Sequence, residues 1–213
     1  MHDSISQLLQ IFLITSHITR GNRFTECDNP FPFSKTEPVS FSVINRANQV
    51  WSTDITYVRV NGGFMYLAAV IDWPSKAILS HKLSNTMDSA LVMEVLKEAI
   101  THYGQPEIFN TDQGSQYTSH VHTSYLSERG IKISMDGKGR ARDNIAIERF
   151  WRSDKYEHIY LSDYKFVSVK ELKAGVAEYI QFYNRRRFHK SLNYRKPMEV
   201  YLQSMNVQEP MAA

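Results

Sequence analysis

The chain has 213 residues, enough for one domain of ordinary size with extensions. Hydrophobic residues make up 42% and charged residues 22%, which excludes wholesale disorder and leaves material for a sizeable core. The net charge of +3 does not by itself announce a nucleic-acid binder, and the single cysteine, Cys27, excludes an internal disulfide or a cysteine-based zinc site.

Residues 1–46 show no sustained period and contain Pro30, Pro32 and Pro38. They read as an irregular extension with at most a short helix near Ser4 to Ile14. The apolar run from Leu8 to Ile18 is too short to span a bilayer and lacks the basic lead-in of a signal peptide. The expectation is a soluble cytoplasmic protein with no membrane partner.

From Val50 the pattern sharpens. Val50 to Val60 is rich in Trp, Thr, Ile, Tyr and Val and predicts a strand. Asn61-Gly62-Gly63 predicts a hairpin turn, because these residues tolerate positive φ. Phe64 to Trp73 is almost unbroken in its apolar character, as expected of a strand buried on both faces. Pro74-Ser75 turns the chain into a third strand, Ala77 to Leu83. Asp88 is placed to cap a helix in which Leu91, Val92, Val95, Leu96, Ala99 and Ile100 recur at helical spacing, and Gly104 and Pro106 stop it. A short strand, Glu107 to Thr111, ends at Asp112. A helix from about Ser119 to Arg129 and a strand from Ile131 to Met135 follow. Asp143 is placed to cap a helix from Asn144 to about His158. A further helix runs from about Val169 to Arg185, and Pro197 opens a last short one. The alternation is that of an α/β fold, with residues 1–46 as extension, 47–160 as core and 161–213 as its helical completion plus tail.

Three acids stand in suggestive places. Asp54 lies within the first strand, where a charge is expensive unless it is paired or binds a cation. Asp112 lies at the carboxyl end of a strand, where open α/β sheets often put their chemistry. Glu148 lies one turn into a helix. Hard cations such as Mg²⁺ and Mn²⁺ prefer carboxylate oxygen, and two of them about 3.5–4 Å apart can drive phosphodiester chemistry. The plainer reading is that such acids are caps or turn residues; Asp72 and Asp143 fit that description.

Basic residues gather around this set. Glu148, Arg152 and Lys155 stand at i, i+4 and i+7 and share one helical face. The loop Gly137-Lys138-Gly139-Arg140 lacks the spacing of a phosphate-binding loop but places Lys138 and Arg140 beside the acids. In Tyr183 to Lys196 no acid interrupts a run that includes Arg185, Arg186, Arg187 and Lys190 with aromatic neighbours. Such a run suits phosphates and bases, or simply a solvated helix end. His120 and His122 form no credible zinc set.

The words around the acids resemble a known family. Thirty-five residues separate Asp112 from Glu148, similar to the D-D-35-E signature of transposases and retroviral integrases. Val50-Trp51-Ser52-Thr53-Asp54-Ile55-Thr56-Tyr57, Thr111-Asp112-Gln113-Gly114-Ser115-Gln116-Tyr117 and Asp143-Asn144-Ile145-Ala146-Ile147-Glu148-Arg149-Phe150-Trp151 resemble the three acid segments of bacterial insertion-sequence transposases of the OrfB type. Tyr183-Asn184, Arg187, His189, Ser191-Leu192 and Pro197 are similar to their carboxyl-terminal signature. The resemblance covers roughly Asn48 to Tyr201. It implies a ribonuclease-H-like fold with a mixed five-stranded sheet, two Mg²⁺ or Mn²⁺ ions held by Asp54, Asp112 and Glu148, and DNA as substrate. It also implies strand cleavage followed by strand transfer, contact of Lys155 with the element end, and a homo-oligomer when active. Two features depart from the family pattern. Residues 1–46 do not read as the helix-turn-helix segment expected ahead of the core, so the expectation is an N-terminally truncated transposase. The position of Asp154 is usually leucine. Beside the working enzyme, a catalytically silent DNA-binding remnant that interferes with an intact transposase therefore stays open.

Overall fold

The computed structural model describes residues 44–135, 144–162 and 168–208. The expected helix near Ser4, the cap at Asp143 and the basic residues Lys138 and Arg140 lie outside them.

Five strands form one sheet in the order β3-β2-β1-β4-β5. β1 (Val50–Val60), β2 (Gly63–Asp72) and β3 (Ile78–Ser84) make the antiparallel meander that the sequence predicts. Gly62 turns the first hairpin at φ +80, a conformation that side chains with a Cβ avoid. β4 (Ile108–Thr111) and β5 (Lys132–Met135) add in parallel on the other side of β1.

Helices cover both faces. α1 (Ser89–Tyr103) is capped by the Asp88 carboxylate, which accepts from the Leu91 amide at 3.0 Å. α2 (His120–Ser127) follows a separate helical turn, Ser115–Thr118, where the sequence predicts one helix from Ser119. α3 (Ile145–Asp154) carries Glu148. α4 (Val169–Arg185) opens with Ser168 and Glu171 bonding each other's backbone amides. α5 (Pro197–Gln208) is 12 residues long, more than the short helix expected.

The alternation of β2 explains its unbroken apolar run. Leu67, Ala69 and Ile71 face α3 and α4, where they meet Ile147, Phe150, Trp151, Leu172, Val176 and Ile180. Ala68 and Val70 face α1, α2 and α5, together with Trp51, Phe109, Leu96, Leu126, Met198 and Tyr201. A strand covered on both sides has no polar face to show.

Three polar anchors hold the chain where the layers meet. Asn48, at φ 62, accepts from the Trp51 indole (3.0 Å) and the Tyr201 hydroxyl (2.8 Å), and donates to the Tyr103 carbonyl (2.9 Å). Its backbone amide donates to Asp72, which also accepts from the Ser75 amide and hydroxyl. Asp72 is thus the turn residue the sequence suggests, buried enough that its carboxyl titrates above the usual carboxylate range. At the outer edge of β3, the Asn184 amide of α4 bonds both backbone groups of Ile78, accepting at 2.9 Å and donating at 2.8 Å.

The helix of Glu148 departs from its expected course at Asp154. From Lys155 to Ile159 the turns widen to the π form, and the Tyr160 amide bonds back to the Lys155 carbonyl. Asp154 is fully buried on the stripe of Ile147 and Trp151. One of its oxygens meets the His158 Nδ1 at 3.2 Å, and the other has no partner among the described residues. Burial pushes its carboxyl above the ordinary range.

Replacing Asn48 with alanine is expected to lower stability by about 1–3 kcal/mol, because the buried Trp51 indole loses its acceptor while the Tyr201 hydroxyl keeps the Tyr103 carbonyl; a denaturant midpoint measures this. Asp154→Leu is expected to raise stability by about 1–2 kcal/mol at neutral pH, since a buried, half-satisfied acid is replaced by an apolar side chain. Because the folded-state pKa of Asp154 is raised, its burden falls away as pH drops toward the unfolded value, so the gain shrinks in acid.

Candidate active site

The pairing of β1 with β4 brings two of the acids together. Ser52 stands beside Asn110 in the parallel register, and Asp54 and Asp112 each lie two residues further on. α3 crosses this end of the sheet. Asn144 donates its side-chain amide to the Thr53 carbonyl at 3.2 Å, and the Trp151 indole donates to Asp54 Oδ2 at 3.0 Å. Glu148 lies between these two contacts along the helix.

Asp54 bears the electrostatic consequence. Burial raises its pKa to about 6. Hydrogen bonds from the Ile55 amide (2.8 Å) and from Trp151 oppose the rise, while the charges of Asp112 and Glu148 add to it. Both charged neighbours that act on this half-buried acid are themselves acids, and no cation answers it among the described residues.

Asp112 is fixed by its own loop. The Gly114 amide donates to Asp112 Oδ1 at 2.9 Å. A Cβ on Gly114 would stand 2.9 Å from that oxygen and 2.5 Å from Gln116 Nε2, so a side chain here would push both the Gln116 amide and the Asp112 carboxylate from their places, the glycine φ of −59 being ordinary. Behind the loop, the buried Tyr117 hydroxyl reaches Thr53 Oγ1 at 3.4 Å, and burial lifts its pKa well above the usual value. Glu148 sits in the exposed first turn of α3; partial desolvation raises its pKa and Arg152 lowers it.

Among the described residues no group of three or more acids, histidines or cysteines is already set to hold a metal ion. The acids share one electrostatic neighbourhood without closing into a cage, as mutual repulsion dictates when nothing positive stands between them. The donor set nevertheless suits a hard cation. Ser52 Oγ and Asn144 Oδ1 are buried beside the acids without partners among the described residues, and hydrated magnesium or manganese takes such oxygen donors.

The basic residues divide. Arg152 is exposed beside Glu148, and Lys155 is half-buried at the start of the π turn. Arg187 is turned inward: its guanidinium grips Glu157 through two nitrogens, and Glu157 also accepts from the Tyr179 hydroxyl at 3.0 Å. Arg185, Arg186 and Lys190 remain exposed, near the outward-facing rings of Phe188 and Tyr194. His120 is exposed, while His122 is buried between Phe109 and Tyr117, and burial pushes its pKa down to about 4. Sequence reasoning passed over Asn144 and Trp151 as site residues, although both fall on the helical stripe of Glu148, four positions before it and three after.

Comparison with known proteins now bears on this geometry. Residues 44–141 match one family model described as an integrase core domain, and residues 129–197 match a second of the same description. The InsK protein of insertion sequence element IS150 from Escherichia coli K12 is 37% identical over 156 residues, covering 72% of this chain and 54% of the relative. The transposase of insertion sequence element IS904 from Lactococcus lactis is 37% identical over 155 residues, 71% of this chain and 60% of the relative. The chain belongs to the integrase-core transposase family. It spans about half the length of the curated relatives it matches. The integrase core also has the fold of retroviral enzymes. The catalytic core of HTLV-2 integrase in complex with magnesium superposes with a TM-score of 0.59 at 19% identity, covering 73% of this chain and 97% of that one. The catalytic core of BIV integrase gives 0.61 at 15% identity, covering 76% and 99%. The ribonuclease-H-like expectation for the sheet is therefore met. Among the described residues no helix is long and apolar enough to cross a membrane.

Asp54→Asn provides a test of the half-buried acid. In metal-free protein the raised pKa of Asp54 costs stability as pH rises from about 4 to about 6 and leaves the full cost in place above that. The asparagine variant is expected to match the parent below pH 4 and to exceed it by about 3 kcal/mol at pH 7, the equivalent of roughly two pKa units. Urea unfolding across that pH range measures the difference.

Proposed function

We propose that this chain is a metal-dependent DNA strand-cleaving and strand-transferring core, with Asp54, Asp112 and Glu148 as its catalytic acids. The observation that carries the reading is the half-buried Asp54 carboxylate, whose charged neighbours are both acids: an arrangement that costs stability and that a divalent cation relieves. The kinship with insertion-sequence transposases and the magnesium named for the HTLV-2 enzyme support it.

Asp54 and Asp112, from adjacent strands, would hold Mg²⁺ or Mn²⁺ between them, and Glu148 would complete the set from the helix. A pair of such ions, when bound, makes a water or DNA 3′-hydroxyl nucleophilic at neutral pH and stabilises the leaving oxygen. The protein's own part is placement. Gly114 and its amide orient Asp112, and Trp151 engages one oxygen of Asp54. Arg152 opposes the rise that desolvation gives the Glu148 carboxyl, and it offers a cation to the phosphodiester. Lys155 extends that basic face. The exposed cations Arg185, Arg186 and Lys190 would hold the flanking backbone of the insertion-sequence ends and target DNA, with the exposed rings of Phe188 and Tyr194 available to unpaired bases. Lys138 and Arg140 are assigned to the same DNA surface on sequence alone. Joining two DNA ends calls for at least two copies.

A second reading, a DNA-binding remnant without catalysis, is favoured by one observation, the fully buried Asp154 on the catalytic helix. One assay separates the two. With Mn²⁺ and pre-cut DNA ends, the parent chain is expected to transfer strands, and Asp112→Asn to fall to background while still retaining DNA in a mobility shift. A parent without metal-dependent activity that still binds DNA would establish the remnant instead.

A further inference from the structure

Two hydrogen bonds join the helix of Glu148 to the strand of Asp54, and both come from one helical stripe. Asn144, Glu148 and Trp151 stand at i, i+4 and i+7, so they share a face. Asn144 Nδ2 reaches the Thr53 carbonyl at 3.2 Å, and Trp151 Nε1 reaches Asp54 Oδ2 at 3.0 Å. The contacts land on successive residues of β1, one on each side of Glu148 along the helix. Both tethering side chains are buried, with exposures of 5% and 6%, whereas Glu148 itself is exposed. The Trp151 ring is held in turn by Phe150, at 4.9 Å between centroids, and Phe150 packs edge-on against Tyr183 of α4.

A single contact would leave the helix free to pivot. Two contacts on neighbouring strand residues fix both its distance from the strand and its rotation, and so the separation of Glu148 from Asp54. Packing alone requires only a large apolar ring at position 151; the indole N–H is a further feature, and it is spent on a catalytic acid. Hydrogen-bond donors to a ligating carboxylate orient it and set its affinity for a cation.

We infer that Asn144 and Trp151 are positioning residues, a two-point tether that sets the geometry in which Asp54 and Glu148 receive a divalent cation; this rests on the metal-dependent reading above. The test is a Mn²⁺ titration of the full chain, read as the metal-induced shift of the thermal unfolding midpoint and independently as free Mn²⁺ by electron paramagnetic resonance. Trp151→Phe keeps the ring and removes the donor. It is expected to raise the Mn²⁺ half-saturation about tenfold, the effect typical of losing such a supporting contact. Asn144→Ala, which disturbs packing least, is expected to move it in the same direction and decides the matter if the phenylalanine variant does not fold. Trp51→Phe serves as the control. It loses an indole bond of equal length, to Asn48 on the other face of the sheet, and should lower the metal-free midpoint while leaving half-saturation unchanged. A Mn²⁺ half-saturation within about twofold of the parent in the position 151 and 144 variants would overturn the tether and leave the metal site standing, since effects of this kind run to tenfold or more. A parent chain that shows no saturable Mn²⁺ binding would overturn both.

Discussion

The arrangement turns on how β1 is held. It is bonded along one side to β2 in antiparallel fashion and along the other to β4 in parallel, so it cannot slide without breaking two ladders at once. Its register against β4 sets Ser52 beside Asn110 and therefore carries Asp54 and Asp112 forward together. A shift of one residue would turn every side chain of the strand to the other face and send Asp54 toward α1. The apolar residues that alternate with the acid, Trp51 on one face and Val58 on the other, lock that register through burial. The site is thus a by-product of core packing, and its precision is the precision of the sheet.

Stability and chemistry pull against each other here. Asp54 is kept half-buried beside like charges, and Ser52 and Asn144 hold oxygens nearby that have no partners among the described residues. Unsatisfied groups of this kind are costly and are tolerated where something else is meant to satisfy them. Asp154 is a different case. It is as deeply buried as any residue of the core and lies on the helix of Glu148, where one of its oxygens meets His158 in the π turn.

Much of this was legible in the sequence, for identifiable reasons. The meander was readable because its first turn needs residues with unusual backbone freedom and its central strand is apolar almost to its end at Asp72. The acids were readable because a carboxylate inside a strand of Trp, Thr, Ile and Tyr is anomalous, and because the flanking words matched a family. What stayed hidden depends on contacts between distant segments. Nothing local in Arg187 distinguishes it from Arg185 and Arg186, and only Glu157, thirty residues earlier, turns it inward. Helical period carries α3 to His158 but does not announce that its turns widen after Asp154. Trp151 reads as an ordinary core residue until the strand it meets is known.

Asn184 has a consequence beyond the fold. The outer edge of β3 is a row of backbone groups that could accept another strand, and an exposed edge is where one copy of a protein can recruit the next into an open-ended assembly. By spending its amide on both groups of Ile78, Asn184 occupies the place a neighbouring chain would need in order to zip on from that end. The side-chain amide acts there as a short stand-in for a sixth strand, closing that end of the ladder from within the chain.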